Sequence, residues 1–364
     1  MTLQADKLHD CIILGGGPAG VSMGHQLTRF PDIEYVILER GQIGHSWACM
    51  HDSLVVLSPM WVNQLPGFRF PLGRSFDRLP KKDFIQYLVS YAEHYSMNWV
   101  SNIDVTGVRK EDGLFLVTTS NGEIRSKTIV NATGYYSTPY TPELEWTDSS
   151  VPIMHSAAYK SPAELAKLLG PGNRKILIVG KRLSAGQLLE ELDAAGYSLG
   201  ISTRAEIETR AGGILGFIKE TLYYLKEIFL LYMNPYIKQY SYAVMDGGKT
   251  DDLIKSGRLR HHTIVRGIKN GEVFFSNDEH DAYDLIICAT GFKAAFPHLG
   301  RLIDDQVPLL EQLDKGEHLE VPGLFFLGID NMINFTSRYV RGVAADSTVV
   351  SEKLIRHLRE IGSV

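Results

Sequence analysis

Residues 10–27 read DCIILGGGPAGVSMGHQL, an apolar run followed by a glycine turn and then by apolar positions at helical spacing. Gly15, Gly17 and Gly20 fill the pattern G-x-G-x-x-G, which allows a tight turn, the close approach of a pyrophosphate and close packing of helix on strand. The start of the helix, at Pro18 and Ala19, offers backbone N–H groups and a positive dipole end to phosphates. The stretch predicts a strand–turn–helix unit that binds a dinucleotide.

A second apolar run, EYVILER at residues 34–40, ends at Glu39, nineteen positions beyond Gly20. An acidic side chain at the end of this strand can accept hydrogen bonds from both hydroxyls of a ribose. Taken alone, such a residue is also typical of a solvated strand end. The order of turn, helix, strand and acid favours the binding role, and the neighbouring Arg40 is a further candidate contact.

Residues 175–204, KILIVGKRLSAGQLLEELDAAGYSLGISTR, repeat the order of strand, turn, helix and strand. Gly180 to Arg204 spans the same twenty-four positions as Gly15 to Glu39, which predicts a second dinucleotide-binding unit. Arginine suits a ribose that carries a 2′-phosphate, because it binds phosphate through charge-assisted bidentate hydrogen bonds. The first unit therefore fits FAD and the second NADPH, although a lone arginine at a strand end is about as often a plain surface residue.

The second turn departs from the glycine pattern at its middle position, where Arg182 stands. Ala185 fills the third glycine position, Gly186 lies just beyond it, and Ser184 precedes it as a candidate phosphate contact. A side chain at position 182 would obstruct a pyrophosphate if it pointed inward, whereas a guanidinium that swings outward can pair with it. The alternatives are a modified NADPH site, which we expect, and a lost one.

Composition narrows the class of protein. The chain has 364 residues, of which 44% are hydrophobic and 22% charged, so we expect a globular protein of two domains. A net charge of −5 offers no basic surface to nucleic acid. Cys11, Cys49 and Cys288 form no C-x-x-C pair and the histidines show no H-E-x-x-H spacing, so we expect no redox disulfide and no metal site. With a strand beginning by Cys11 and no spanning apolar run, we expect a cytoplasmic protein without a transmembrane segment.

Two further segments share an apolar run before Ala-Thr-Gly: KTIVNATGYYSTPYTPE at 127–143 and YDLIICATGFKAAFPHL at 283–299. Paired segments of this kind behind two dinucleotide units resemble those of the flavin-containing monooxygenases and related class B flavoproteins with two dinucleotide-binding domains. The resemblance covers almost the whole chain and is closest to short members, bacterial or of the YUCCA type. It implies that Thr133, Gly134, Thr290 and Gly291 lie beside the two cofactors.

The segment at 45–71, HSWACMHDSLVVLSPMWVNQLPGFRFP, is similar to the flavin-side segment of that group and implies flavin contacts for Ser46 and Trp47. The family pattern F-x-G-x-x-x-H keeps His155 but loses its Phe and Gly, and the Asn that many animal-type members place near the flavin is missing at Leu57–Pro59. Asp330, after a strand, matches a position that contacts the ribityl chain in many flavoproteins. A helix N-cap is the alternative for Asp330.

These patterns predict an α/β fold with two Rossmann-like domains. Residues 1–148 plus 285–364 would form the FAD domain, interrupted by an NADPH domain at 149–284 with a helical insert near 211–245. A small antiparallel piece is expected at 103–126, where strand-like runs meet turn formers at Asp112–Gly113 and Asn121–Gly122.

The insert contains ILGFIKETLYYLKEIFLLYM at 214–233, a helix whose Lys-Glu pairs recur after seven residues on one narrow stripe. Such a helix either packs between domains, covers the substrate pocket, or docks on a membrane surface or a second subunit. We expect it to line an apolar substrate channel through its aromatic side chains, which are Phe217, Tyr223, Tyr224, Phe229 and Tyr232.

The resemblance also implies a reaction. NADPH would reduce FAD, the reduced flavin would react with O2, and the resulting C4a-hydroperoxide would oxygenate a small, apolar or aromatic substrate. Because the cofactors carry this chemistry, the sequence nominates no catalytic residue. Two alternatives stay open: an NADPH-dependent flavin reductase or oxidase without oxygenation, and a non-catalytic FAD-binding protein whose NADPH site is lost.

Overall fold

The computed structural model of the protein describes residues 7–134, 136, 138–170, 172–207, 213–238 and 249–363. Its strands, numbered in chain order, are β1 Leu8–Leu14, β2 Tyr35–Glu39, β3 Trp99–Ser101, β4 Val105–Glu111, β5 Leu114–Thr119, β6 Gly122–Asn131, β7 Thr138–Pro139, β8 Trp146–Thr147, β9 Ile153–His155, β10 Lys175–Val179, β11 Ser198–Ser202, β12 Leu259–His262, β13 Val265–Lys269, β14 Glu272–Phe275, β15 His280–Ala282, β16 Leu285–Cys288, β17 Phe292–Lys293, β18 Leu313–Asp314, β19 Glu317–His318 and β20 Leu324–Phe326. Its helices are α1 Pro18–Thr28, α2 His45–Ala48, α3 Lys81–His94, α4 Pro162–Leu169, α5 Leu183–Ala194, α6 Gly213–Met233, α7 Lys249–Lys255 and α8 Val340–Glu360.

The first sheet has the order β18-β19-β20-β6-β1-β2-β3, and its strands from β20 to β3 run parallel. Strand β1 lies at its centre and is buried from His9 to Leu14, and its last four residues, Cys11 to Leu14, are apolar because both faces of a parallel sheet are covered. Helix α1 returns from β1 to β2 and packs against α3 and α8. The carboxyl ends of β1 and β2 therefore bring the glycine turn and Glu39 to the same edge of the sheet.

The predicted antiparallel piece is confirmed. Strands β4, β5 and β6 pair antiparallel, with turns at Asp112–Gly113 and Asn121–Gly122. Gly113 and Gly122 both have positive φ, at 82° and 110°, which is a conformation that glycine adopts without steric cost. The long strand β6 joins this hairpin to the parallel part of the first sheet.

The second sheet has the order β12-β11-β10-β16-β9, and every pair in it is parallel. Successive residues of β10 face opposite sides: Ile176 and Ile178 pack in one buried cluster and Leu177 in another. A four-stranded sheet, β15-β14-β13-β8, covers the side of Leu177. Two sheets built on strand–turn–helix units confirm the predicted α/β class with Rossmann-like architecture.

The chain crosses between the two sheets at β7 and β17, which pair with each other antiparallel. Each crossing follows one of the Ala-Thr-Gly segments. Strands β8 and β16 both belong to the sheets of the second unit, so the crossings lie outside the predicted limits of 149 and 285. The assignment of the two units to FAD and NADPH stays a prediction.

Helix α6 forms as the sequence predicts, and the described chain continues from it to residue 238. Residues 211–212 and 239–245 of the predicted helical insert lie outside the described residues. Within the described part of the chain, no helix is long and apolar enough to cross a membrane.

Candidate cofactor and substrate site

In the first glycine turn, Gly15 and Gly20 are packed against backbone atoms, whereas Gly17 faces open space. Gly15 has φ of +103°, and a Cβ there would lie 2.8 Å from the carbonyl oxygen of Ala132. A Cβ at Gly20 would lie 1.8 Å from the carbonyl oxygen of Gly15, which no side chain can satisfy. A Cβ at Gly17 would meet nothing within 4 Å, since this position faces a large cavity.

Helix α1 points its amino end into this cavity. Gly17 is its N-cap without a side-chain cap, Pro18 occupies the first turn, and that turn carries no acidic residue. The backbone N–H groups of the first turn are therefore free of side-chain capping and can meet an anion. Gly15, Gly17, Pro18 and Ala19 line the cavity, so this geometry fits a pyrophosphate.

Glu39 closes the first turn from the end of β2. Its side chain is buried and lines the cavity. Oε2 accepts a hydrogen bond from the backbone N–H of Gly16 at 2.7 Å, and Oε1 accepts one from that of Gly41 at 3.0 Å. Each oxygen keeps a further lone pair, so the oriented carboxylate can accept the hydroxyls of a ribose. Arg40 is exposed and does not lie on the cavity wall.

The second turn repeats the first in its backbone. Gly180 has φ of +136°, and a Cβ there would lie 2.4 Å from the carbonyl oxygen of Ala289. Ala132 and Ala289 are the alanines of the two Ala-Thr-Gly segments, so each segment passes directly under one glycine turn. The amide of Gly180 donates to the carbonyl of Ser202, as that of Gly15 donates to Leu38.

Arg182 stands at the position of Gly17, as N-cap of α5. Its φ and ψ are −109° and −168°, close to the −80° and −173° of Gly17, so an arginine adopts this extended backbone without strain. Its side chain lines the cavity, together with Gly180 and Ser184. Ala185 is buried in the core under α5, so the second unit accommodates a methyl group at this position. The matching residue of the first unit, Gly20, leaves no room for one.

The predicted equivalence of Glu39 and Arg204 is wrong by one residue. Because Gly15 bonds to Leu38 and Gly180 to Ser202, the residue after Ser202 is the counterpart of Glu39. That residue is Thr203, since Gly180 and Ser202 are 22 positions apart whereas Gly15 and Leu38 are 23 apart. Arg204 is the counterpart of Arg40, yet it is exposed on the cavity wall.

The two turns therefore differ in charge. Lys181, Arg182 and Arg204 line the cavity around the second turn, where the counterpart of the acid is a threonine. Thr203 is buried and its Oγ1 lies 2.8 Å from the carbonyl oxygen of Ala205. Around the first turn the wall carries Glu39. A carboxylate favours a free ribose diol, whereas clustered cations favour an additional phosphate.

Both Ala-Thr-Gly segments lie on the cavity wall, including Thr133, Gly134, Thr290 and Gly291. Gly134 and Gly291 have φ of 69° and 82°, and a Cβ at either would meet nothing within 4 Å. The turns thus leave backbone exposed toward the cavity, where a ligand can approach closely.

A histidine supports each of these segments: His155 is buried and His298 is half-buried. Nε2 of His155 lies 2.9 Å from the carbonyl oxygen of Gly291, and Nε2 of His298 lies 3.0 Å from Oδ1 of Asn131, which directly precedes the first Ala-Thr-Gly. Burial lowers the pKa of His155 and lowers that of His298 to about 4. Both rings are therefore neutral at pH 7 and act as hydrogen-bonding supports.

The flavin-side segment forms another wall of the cavity. Ser46 and Trp47 line it, and the ring of Trp47 packs on Phe84 of α3 with centroids 4.5 Å apart. Asn63 was missed by the sequence analysis. It is buried on the wall, and its Nδ2 donates to both the carbonyl and the Oγ of Ser58, at 3.0 and 2.7 Å. A polar residue in an otherwise apolar, Pro-rich stretch was the signal available.

This segment also ties the two units together. The backbone N–H of Asp52 donates to the carbonyl of Lys160 at 2.8 Å, and Nζ of Lys160 donates to the carbonyl of Cys49. Nε2 of Gln187, in α5, reaches the carbonyl of Val55 at 3.5 Å. The cavity wall is thus continuous from the first turn to the second.

Helices α6 and α8 form a third wall, of which the sequence predicted only the part contributed by α6. Tyr223 and Tyr224 line the cavity, together with a set from the start of α8 and the residues before it: Phe335, Arg338, Tyr339, Val340, Arg341 and Val343. The other three aromatic residues predicted to line a channel, Phe217, Phe229 and Tyr232, are exposed and do not lie on the cavity wall. The prediction is wrong for these three, because α6 turns its acidic stripe inward.

Asp330 does not lie on the cavity wall. Its Oδ2 is 3.5 Å from Nη1 of Arg338, which does line the cavity. The alternative role as a helix N-cap is wrong, since the chain continues in turns until α8 begins at Val340 with Tyr339 as its N-cap. Asp330 contacts the cavity wall through Arg338.

The cavity between these walls has a volume of about 1600 Å³. Pockets for a single small ligand or cofactor usually enclose roughly 300–1,000 Å³. The cavity therefore has room for two dinucleotides side by side. No group of three or more potential metal ligands occurs among the described residues.

A family model described as pyridine nucleotide-disulphide oxidoreductase matches residues 12–328, which include both turns and both Ala-Thr-Gly segments. The chain belongs to this family. The three cysteines of this chain are all free thiols, and Cys11 and Cys288 are buried. The residues described here thus provide the nucleotide-binding frame without a disulfide partner for Cys49.

Curated relatives match nearly the full length of the chain. An uncharacterized oxidoreductase described as CzcO-like, from Geobacillus kaustophilus, is 27% identical over 96% of this chain and 99% of its own. The probable indole-3-pyruvate monooxygenase YUCCA4 of Arabidopsis thaliana is 27% identical over 94% of this chain and 89% of its own.

Solved structures show the same fold. A flavin-containing monooxygenase from Stenotrophomonas maltophilia superposes with a TM-score of 0.77 at 22% identity, over 96% of this chain and 99% of that one. The ornithine N-hydroxylase of a Kutzneria species gives 0.74 at 17%, over 96% and 99%. The predicted class, a flavoprotein oxidoreductase resembling the flavin-containing monooxygenases, is confirmed by family and fold.

Proposed function

We propose that the protein is an FAD- and NADPH-dependent monooxygenase that transfers one oxygen atom from O2 to a small apolar or aromatic substrate. The observation that carries the proposal is the pairing of two equivalent turns on one cavity, the first with Glu39 and the second with Lys181, Arg182 and Arg204. A free ribose diol fits the first turn and a 2′-phosphate the second.

The residues of the first turn fit FAD. The amino end of α1, left open by Gly17, would hold the pyrophosphate, and the carboxylate of Glu39, fixed by two backbone N–H groups, would hold the ribose of the adenosine. Trp47 and the loop that Asn63 fixes through Ser58 would shield the flavin ring from water. When bound, FAD supplies the redox chemistry, in which NADPH is oxidised and O2 is activated.

The residues of the second turn fit NADPH. Backbone N–H groups at the start of α5 and the side chain of Arg182 would hold its pyrophosphate, and Arg204 would bind the 2′-phosphate. The crossing segments at β7 and β17 bring this turn and the first to one cavity. The protein's part is therefore to align the two nucleotides and to keep water from the reaction.

The wall formed by α6 and α8 supports an apolar or aromatic substrate. Tyr224 is buried, stands edge-on to Trp61 at 6.0 Å, and lines the cavity with Tyr223 and Phe335. We expect Tyr224→Ala to change product formation several-fold while NADPH oxidation is largely kept. Phe229→Ala, on the exposed side of the same helix, is the matched control and should change neither. Equal loss of both activities in Tyr224→Ala would contradict a substrate role.

The decisive experiment is the absorption spectrum of the purified protein before and after anaerobic addition of NADPH. We expect a bound flavin spectrum that bleaches with NADPH at lower concentration than with NADH. The reduced protein is then mixed with ¹⁸O2 in a stopped-flow instrument, with indole-3-pyruvate and a thioether as probes. A lag before the oxidised spectrum returns, and ¹⁸O in a product, would support oxygenation.

The same experiment separates the alternatives. Direct return of the oxidised spectrum with stoichiometric H2O2 would make the protein a reductase or oxidase. A flavin that does not bleach would make it a non-catalytic flavoprotein with a lost NADPH site. The proposed compartment is the cytoplasm, where an exposed thiol such as that of Cys49 stays reduced.

A further inference from the structure

Helix α6 is amphipathic, but its acidic side chains face the protein and most of its apolar side chains face solvent. Its acidic side chains point into the protein, where Glu227 is 5% exposed and Glu220 is 11% exposed. Glu227 accepts hydrogen bonds from Arg341 at 2.5 and 3.0 Å, and Glu220 accepts one from Arg78 at 2.6 Å. These ion pairs fix the rotation of α6 about its axis, because both carboxylates lie on the inner face.

The outer surface of α6 is apolar, and we call it the apolar face. Its eight members are all between about half and more than four-fifths exposed: Phe217, Ile218, Leu222, Leu225, Ile228, Phe229, Tyr232 and Met233. At 3.6 residues per turn they cover an arc of about 160°, along a helix roughly 30 Å long. Proteins that stay monomeric in water rarely expose a contiguous apolar surface of this extent.

The apolar face continues onto a second element. The ring of Phe76 lies 5.6 Å from that of Phe217, centroid to centroid, and Phe76 itself is exposed. Leu72, in the same loop, is 90% exposed. Two segments far apart in sequence therefore present apolar side chains on one side of the molecule.

Basic residues border this surface. Lys219 and Lys226 are exposed. They lie about 180–200° around the helix axis from Phe217, directly beside one edge of the apolar face. Arg74 and Arg78, on the loop that carries Phe76, are exposed but are ion-paired with Asp77 and Glu220, so the net positive charge at this border comes from the two lysines. The acidic residues of the described helix are turned inward, as shown above. The helix thus presents apolar side chains edged by positive charge, on a protein whose net charge is −5.

We propose that the apolar face binds the surface of a lipid bilayer that contains anionic lipids, with α6 lying in the plane of the interface. An interfacial helix buries an apolar face among acyl chains and places lysines at the level of the phosphates. A second copy of the chain fits less well. An isologous contact would bring the same lysines to the interface from both sides, while the carboxylates of α6 stay paired inside.

The test is co-sedimentation of the flavin-loaded full chain with sucrose-filled vesicles. Vesicles of phosphatidylcholine alone are compared with vesicles that also contain phosphatidylglycerol, at low and high salt. We expect binding to the anionic vesicles, weakened by salt. Lys219→Glu with Lys226→Glu should reduce the partition coefficient on the order of tenfold or more, and Phe229→Ser with Tyr232→Ser should reduce binding to every vesicle.

The matched control is Leu168→Ser with Leu319→Ser, which removes two similarly exposed apolar side chains that lie outside the apolar face. This variant should bind vesicles as the unmodified chain does, and circular dichroism with flavin absorbance checks the fold of all variants. Absence of binding to anionic vesicles would overturn the proposal. So would a dimer in analytical ultracentrifugation that Phe229→Ser with Tyr232→Ser converts to monomer while vesicle binding is unchanged, since the face would then belong to a second copy.

Discussion

The two dinucleotide turns share a backbone and differ in the groups that surround it. In both, a glycine with positive φ packs under the carbonyl of an Ala-Thr-Gly segment, and a helix begins three residues later with an extended N-cap. In the first turn the N-cap is Gly17 and the next strand ends in Glu39. In the second the N-cap is Arg182 and the counterpart of the acid is Thr203.

This difference teaches that the backbone and the side chains of such a turn carry separate tasks. The backbone supplies N–H groups and the helix dipole, which suit the pyrophosphate of either nucleotide. The surrounding charges, one carboxylate at the first turn and three cations at the second, are the groups that we propose select among nucleotides. Four substitutions test this division of tasks, beginning with the one of largest expected effect.

The largest effect is expected at the packed glycine of the first turn. Gly20→Ala would place a methyl group 1.8 Å from the carbonyl oxygen of Gly15 if nothing moved, so α1 must shift away from the turn. We expect loss of several kcal/mol of stability and of bound flavin, measured by thermal unfolding and by the flavin-to-protein absorbance ratio.

The second turn provides the control, because Ala185 already carries a methyl at the matching place. Ala185→Gly should cost only about 1–2 kcal/mol, from helix propensity and the loss of one buried methyl group, and should keep the flavin. If Gly20→Ala folds with a full complement of flavin, the first turn tolerates a methyl group as the second does, and the proposed packing difference is contradicted.

The histidines that support the two turns both make stability depend on pH. The pKa of His298 is lowered by burial from about 6.5 to about 4, so its neutral form stabilises the fold above pH 6.5, and this contribution is lost as pH falls toward 4. The size of the loss is roughly 2–3 kcal/mol. Denaturant unfolding from pH 7 to pH 4 should therefore be less pH-dependent in His298→Gln, which keeps a hydrogen-bond donor for Asn131.

His155→Gln, beside the second Ala-Thr-Gly segment, is the companion variant, since burial lowers the pKa of His155 as well. A His298→Gln protein whose stability falls with pH as steeply as that of the unmodified chain would show that the ring is protonated without cost.

Sequence patterns predicted the backbone frame well, because glycine turns and apolar strands are local signals. The antiparallel piece at 105–131, both units and helix α6 follow from them. What the patterns missed depends on register and on distant partners. Thr203, and not Arg204, is the counterpart of Glu39, because the second unit has one residue fewer between its turn and the end of its second strand. A count along the chain cannot locate such a deletion.

The orientation of α6 was not predictable from its own residues. Its two Lys-Glu pairs mark a polar stripe, but the direction of the stripe is set by Arg78 and Arg341, which lie 142 and 114 residues away. The same holds for Asn63, whose partner Ser58 is near in sequence but whose burial comes from the fold around it.

The third substitution tests how the second turn distinguishes NADPH from NADH. Arg204→Ala should raise the KM for NADPH on the order of thirtyfold, since a charge-assisted contact to phosphate contributes about 2 kcal/mol. The KM for NADH, which lacks the 2′-phosphate, should change little. Steady-state reduction of the flavin by both nucleotides measures the ratio, and a parallel rise in both KM values would assign Arg204 to the common part of the nucleotide.

The smallest and most specific effect is expected at Arg182. Its backbone matches that of Gly17, so Arg182→Gly restores the ordinary turn without changing the path of the chain. If the guanidinium contacts a phosphate of the pyrophosphate, the variant should bind NADPH and NADH about tenfold more weakly and with a shallower dependence on salt. Flavin content should not change, because the first turn relies on its backbone and on Glu39. Unchanged KM values with an unchanged salt dependence would remove Arg182 from the site, and a lower KM for both nucleotides would mean that the side chain obstructs the pyrophosphate.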